Sequence, residues 1–186
     1  MLVCKNATKN DCSDSFGGKN DLMEPINYNR NSSHSFPALD RYYRKLELEG
    51  GYYHCQVIME IHRVQPLIIS ILRAQAEYLN RDEMDEIVKL GCAIWDNFSE
   101  RQSVRCRPIS FDQYTACFRK NMFSKNAVSE VHEPCTLADR TAAVDILMLA
   151  IHKHFDNNPI LKNMNAYNQG FQIAMLKSLA ECLDAL

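Results

Sequence analysis

His132 and Cys135 stand three apart in the run His-Glu-Pro-Cys, ahead of a helix start marked by Thr136 and Asp139. A cysteine just before a helix feels the positive end of the helix dipole, which lowers its pKa and supplies thiolate. His132 and Cys135 are therefore the candidate thiol site of this sequence. Loops escape the spacing that helices impose, so the pair could also share a metal if two further ligands came from elsewhere. The plainer reading is an ordinary loop cysteine chosen for packing.

His62 and Gln65 form a second candidate, a small polar site where Pro66 interrupts an apolar helical pattern. Proline lacks an N–H and crowds the carbonyl four residues back, here that of His62. The freed carbonyl and the two side chains would meet at irregular backbone. The alternative is a core-edge histidine bonded to a neighbouring helix.

A third group is electrostatic. Arg101, Arg105, Arg107, Arg119, Lys120 and Lys125 are opposed within that span only by Asp112. Phe111, Tyr114 and Phe118 lie among them, so the stretch could bind phosphates and stack bases. These aromatics also share one helical stripe, which suits a core. A basic rim facing solvent or an acidic partner accounts for the same residues.

Other chemistry lacks its pattern. Glu60 with His62, Glu130 with His132, and His152 with His154 are each two apart, so on a helix they diverge around the axis. The Glu-x-x-His pairs of di-iron bundles, Cys-x-x-Cys, Gly-x-Ser-x-Gly and a phosphate-binding loop do not occur. No catalytic residue, metal site or cofactor is assigned. The net charge of −2 predicts no general attraction to nucleic acid or anionic membrane.

The elements that would carry these groups follow from periodicity. Cys55 to Leu79 is expected to be the helix around which the chain is arranged, kinked at Pro66, with Val57, Ile61, Val64, Ile68, Ile71, Gln75 and Tyr78 on one face. A first helix opens at Pro37 and stops at Gly50-Gly51. Asn80 with Glu83 reads as a capping box, and Met84, Ile87, Val88, Gly91, Ile94, Trp95 and Phe98 as the face behind it. Gly91 would let another helix come close. After a loop over 99–109, Ser110 with Gln113 starts a helix lined by Phe111, Tyr114, Cys117, Phe118 and Met122. Two more follow: one striped by Ala143, Ile146, Leu147, Ala150, Ile151 and Phe155, the other running from about Asn165 to Asp184.

These elements predict an all-α fold, a single-domain bundle of five to six helices over residues 37–186. A polar N-terminal arm over residues 1–36, too poor in apolar residues to offset its ordering entropy, is expected to be mobile. The eight cysteines are expected to be reduced, because no secretory signal is visible and several fall on apolar helix faces. The expected location is the cytoplasm, and no run reaches the ~20 apolar residues of a membrane span. The function expected is a non-enzymatic helical adaptor or regulator that contacts a protein partner or a second copy of itself. A nucleic-acid-binding regulator using 101–125 and a metal- or thiol-dependent protein using His132 and Cys135 are the alternatives.

Overall fold

The computed structural model describes residues 37–123 and 138–186. The fold is all-α, and every regular element among the described residues is helical: α1 (Pro37–Glu49), α2 (Gly51–Val64), α3 (Pro66–Ala74) with a 3-10 turn at Gln75–Glu77, α4 (Arg81–Phe98), α5 (Gln102–Cys106), α6 (Phe111–Phe123), α7 (Ala138–Asn157), α8 (Pro159–Lys162) and α9 (Ala166–Asp184). Nine helices thus stand among these residues where five or six were expected. The excess has three sources: the stretch around Pro66 divides, and one-turn helices form in the expected loop at 102–106 and beyond the stop at Asn158-Pro159. The expected N-terminal arm lies outside the described residues.

The single kinked helix over Cys55–Leu79 is corrected. α2 and the segment from Pro66 meet at a corner of 114°. Gln65 leaves the helical region, with φ −133° and ψ 64°, and its N–H closes α2 on the Ile61 carbonyl at 2.7 Å. Pro66 then becomes the first residue of α3, where its missing N–H costs nothing. The apolar phase runs through the corner because both helices bury the same row: Val57, Ile61, Ile68, Ile71 and Gln75 are all buried. Tyr78, expected on that row, is exposed beyond the 3-10 turn.

Nor is that stretch the centre. α9 packs against α4, α6 and α7, and α4 also packs against α1, α2, α3 and α8. α9 is apolar on nearly every side, the pattern of a helix enclosed by others. Met175, Leu176, Leu179, Ala180, Cys182 and Leu183 are all buried, with Ser178 bonded back to the Ala174 carbonyl. From α4, Ile87, Leu90, Ile94, Trp95 and Phe98 meet this core.

Several local expectations hold. Asn80 Oδ1 accepts the N–H groups of Asp82 and Glu83, and Glu83 accepts the Asn80 N–H at 2.9 Å, a complete capping box. Ser110 Oγ accepts the Gln113 N–H at 3.1 Å. Gly50 takes φ +65° between α1 and α2, a conformation that side chains with Cβ resist. A Cβ at Gly91 would lie 2.8 Å from Leu72 Cδ1, so the glycine sets how closely α3 approaches α4. On α7 the stripe is displaced: Val144, Leu147, Met148, Ile151 and Phe155 are buried, whereas Ile146 is exposed.

Candidate functional site

Of the residues singled out from sequence, the described ones are His62, Gln65, Arg101, Arg105, Arg107, Arg119 and Lys120. Gln65 is wholly buried at the α2–α3 corner. Its Nε2 donates to the carbonyls of Val104 and Arg107 at 2.7 and 2.8 Å, and its Oε1 accepts the Ile109 N–H at 2.8 Å. Every polar atom of the amide is engaged by backbone, so Gln65 fastens the segment between α5 and α6. His62 is exposed on α2. His132, Cys135 and Lys125 lie outside the described residues.

The basic stretch divides. Arg101 pairs with Asp184 at 2.8 Å and lies over the Phe98 ring, and Arg105 pairs with Glu60 at 3.2 Å while donating to the Ser99 carbonyl. Arg107, Arg119 and Lys120 are exposed. Of the aromatics among them, Tyr114 is buried and stacks on Phe118, as a core stripe requires, but Phe111 is 67% exposed, and Phe123 at the end of α6 is 72% exposed.

Among the described residues, one group of titratable side chains is drawn together that sequence spacing did not link. It lies where α1, α2, α4, α7 and α8 meet. Adjacent tyrosines of α1 each meet a histidine. The Tyr42 hydroxyl is 2.6 Å from His54 Nδ1, and the Tyr43 hydroxyl is 3.2 Å from His154 Nε2, with the Tyr43 and His154 rings stacked. Behind them Glu86 accepts from Asn158 Nδ2 at 2.8 Å and from Lys89 Nζ at 2.7 Å, with His154 Nε2 at 3.4 Å. Lys89 also pairs with Asp85 at 2.7 Å. Cys92, wholly buried, completes the row along α4.

The electrostatics favour the ordinary charge state of Tyr42, Cys92, Glu86 and Lys89 and the neutral form of His54. Burial pushes the Cys92 thiol up to about 12 and the Tyr42 hydroxyl beyond the usual phenol range. Burial also opposes charge on Glu86 and Lys89. Hydrogen bonds from His154 and Lys89 outweigh it and hold the Glu86 carboxyl low; bonds to Asp85 and Glu86 hold Lys89 high. Burial, with a smaller push from Lys89, keeps the His54 imidazole below its ordinary value, partly offset by Asp85. A thiol that stays protonated is no nucleophile, and an acid–base catalyst works best when its pKa lies near the operating pH. The cluster is built as a lock between helices. Among the described residues no group of three or more His, Cys, Asp or Glu side chains could hold a metal ion.

The sequence carried one usable signal for this lock. Asp85, Lys89 and Cys92 lie on one face of α4, at i, i+4 and i+7, beside the apolar row. Charged residues bordering a buried row call for partners. The two histidines and two tyrosines that supply them come from three other helices, and no local rule pairs them.

Three outward faces complete the inventory. On α2, Tyr52 and Met59 are 70% and 71% exposed, with Cys55, Gln56, His62 and Arg63 also exposed around them. On α7, Ile146 and Leu149 are exposed. On α6, Arg119, Lys120 and Phe123 share one side, at i, i+1 and i+4. No single helix among the described residues is long and apolar enough to cross a membrane; α2 and α3 reach that composition only together, across their bend.

Comparison of the chain with protein-family models, with curated proteins and with solved structures finds no match.

Proposed function

We propose that this protein is a non-enzymatic helical adaptor or regulator, and that it contacts a protein partner through the outward face of α2. The observation that carries this reading is the row Tyr52, Gln56, Met59 and Arg63. Its 4-3-4 spacing places these side chains in one line along α2, opposite the buried Ile61. Tyrosine, methionine and arginine are enriched in protein interfaces relative to other surface, and lysine and glutamate are depleted there. This row holds the first three and neither of the last two. A docking face also needs a rigid base, and α2 has one in Tyr53, Val57 and Ile61, which are buried beneath it. Burial keeps Cys92 and Tyr42 protonated, so neither offers a nucleophile, which supports the non-enzymatic part.

A photo-crosslinking amino acid at Gln56 tests the reading. A protein contact gives one covalent adduct of defined mass in extract of the source cells, or a crosslinked dimer, and Met59→Glu removes it. The same probe at Asp112, exposed on α6, gives none. A smear of adducts indifferent to Met59→Glu contradicts the proposal.

A second reading has one observation in its favour. Phe111 and Phe123 are exposed on the helix that also presents Arg119 and Lys120, and exposed aromatics beside cations are the surface on which single-stranded bases stack. If α6 binds nucleic acid, affinity falls steeply with salt and is lost in an Arg119→Ala, Lys120→Ala, Phe123→Ala variant. Binding without a salt slope excludes it.

A further inference from the structure

α1 carries Tyr42 and Tyr43 side by side, and each reaches a histidine on a different helix. A tyrosine hydroxyl has one proton to give. Tyr42 is fully enclosed, and among the described residues its hydroxyl is bonded to His54 Nδ1 at 2.6 Å. A neutral imidazole with its proton on Nε2 leaves Nδ1 free to accept the Tyr42 O–H. Once Nδ1 carries a proton it can only donate, and the buried Tyr42 O–H loses its acceptor.

We propose that His54 is the pH-sensitive element of a latch that holds α1 on α2 and α4, and that protonating His54 Nδ1 turns away the Tyr42 hydroxyl and loosens α1. The charged and titratable groups facing this imidazole are Tyr42 on α1 and Asp85 and Lys89 on α4. Lys89 opposes a second positive charge. Asp85 favours it, but Asp85 is already paired with Lys89 at 2.7 Å. Burial adds to the opposition and sets the sign. The folded state holds the His54 pKa below its ordinary 6.5, so the opened state binds the proton more readily. Closure is therefore complete above 6.5 and is lost as pH falls from 6.5 through the folded value. Glu86, the other group in this junction held low, adds its loss only below its ordinary 4.5. Between those two values the His54 contribution is separate from that of Glu86. His154 sits on Tyr43 and Glu86, away from the Tyr42 bond, and serves as the internal comparison.

Hydrogen exchange read by mass spectrometry tests the latch on the full chain at pH 7.4 and 5.5, with rates normalised to intrinsic exchange. In the wild type, protection of α1 falls severalfold relative to α9 at the lower pH. His54→Asn, whose side-chain oxygen can accept in place of Nδ1 but does not titrate, holds α1 equally at both. His154→Gln leaves the wild-type fall intact. An unchanged ratio of α1 to α9 in the wild type, a fall that persists in His54→Asn, or one abolished by His154→Gln overturns the proposal. Should His54→Asn fail to fold, NMR titration of the wild-type histidines decides. The latch requires a His54 midpoint below 6.5 and an Nε2–H tautomer at neutral pH; a midpoint at or above 6.5, or a proton on Nδ1, refutes it.

Discussion

Gln65 accepts the Ile109 N–H at 2.8 Å across 44 positions of sequence. The same amide donates to the carbonyls of Val104 and Arg107, so one side chain stands in for a strand of backbone pairing at the α2–α3 corner. The corner exists because Pro66 ends α2, and it remains a defined angle because Gln65 ties it to the segment that leads into α6.

Replacing that amide leaves buried backbone groups without partners. Each unsatisfied buried group costs about 1–3 kcal/mol. Gln65→Leu is therefore expected to lower the unfolding free energy by about 3 kcal/mol in urea titrations. His62→Ala, three positions away but exposed, is expected to stay within about 0.5 kcal/mol of wild type. Equal effects from the two variants would mean that Gln65 is not the fastener.

Much of this fold was legible in the sequence, and the gaps have physical causes. Helix ends were readable where a side chain caps its own backbone, as Asn80 and Glu83 do within four residues. Close approach was readable at Gly91. The corner was not, because a shared apolar phase on both sides of Pro66 fits a kinked rod and two separate helices equally well. The one-turn helix at Gln102–Cys106 has no side-chain cap and is anchored by Val104 and the distant Gln65, neither of which signals locally. The Tyr42–His54 and Tyr43–His154 contacts link helices 12 and 111 positions apart, and the second is set only by tertiary packing. α7 misled for a related reason. Its apolar residues surround the helix, so periodicity could not tell the buried Val144 side from the exposed Ile146 side.

Gly91→Ala sets two effects against each other. Alanine gains about 1 kcal/mol of helix propensity. Its Cβ would also overlap Leu72, a buried side chain with little room to move, at about 1–3 kcal/mol. The net expectation is a loss of about 1 kcal/mol in thermal or urea unfolding. Leu72→Val in the same chain is expected to cost less than it does alone, because it shortens the branch that clashes. Strict additivity of the two substitutions would contradict this contact.

Glu86 should govern acid stability. Its folded-state pKa is lowered below the ordinary 4.5, so it contributes stability above that value and loses it as pH falls through the folded one. Glu86→Gln is expected to reduce stability at pH 7 by about 2 kcal/mol, since it leaves Lys89 with Asp85 alone. Below pH 4.5 the variant and wild-type curves should converge. Lys89 works at the other end: its raised pKa gives stability that is lost as pH rises above 10.5 through the folded value, and that alkaline loss should shrink in the variant. Parallel curves at all pH values would remove Glu86 from this role.

Capping gives a smaller, local effect. Asn80→Ala removes the acceptor for two N–H groups at the start of α4 and is expected to cost about 1 kcal/mol in urea unfolding. Asn80→Asp retains the acceptor and should restore most of the loss. An aspartate variant as weak as the alanine one would show that the cap contributes nothing to α4.

The claim that α2 docks a partner is tested most directly on Cys55, an exposed thiol beside Tyr52 and Met59. The measurement is its alkylation rate in the cells that make the protein, relative to the purified chain, with the exposed Cys106 of α5 as reference. Docking predicts that Cys55 is shielded in cells, that purification restores its reactivity, and that Met59→Glu restores it in cells without changing stability by more than about 0.5 kcal/mol. Cys55 labelling at the same rate in cells as in the purified chain, with or without Met59→Glu, would contradict the account.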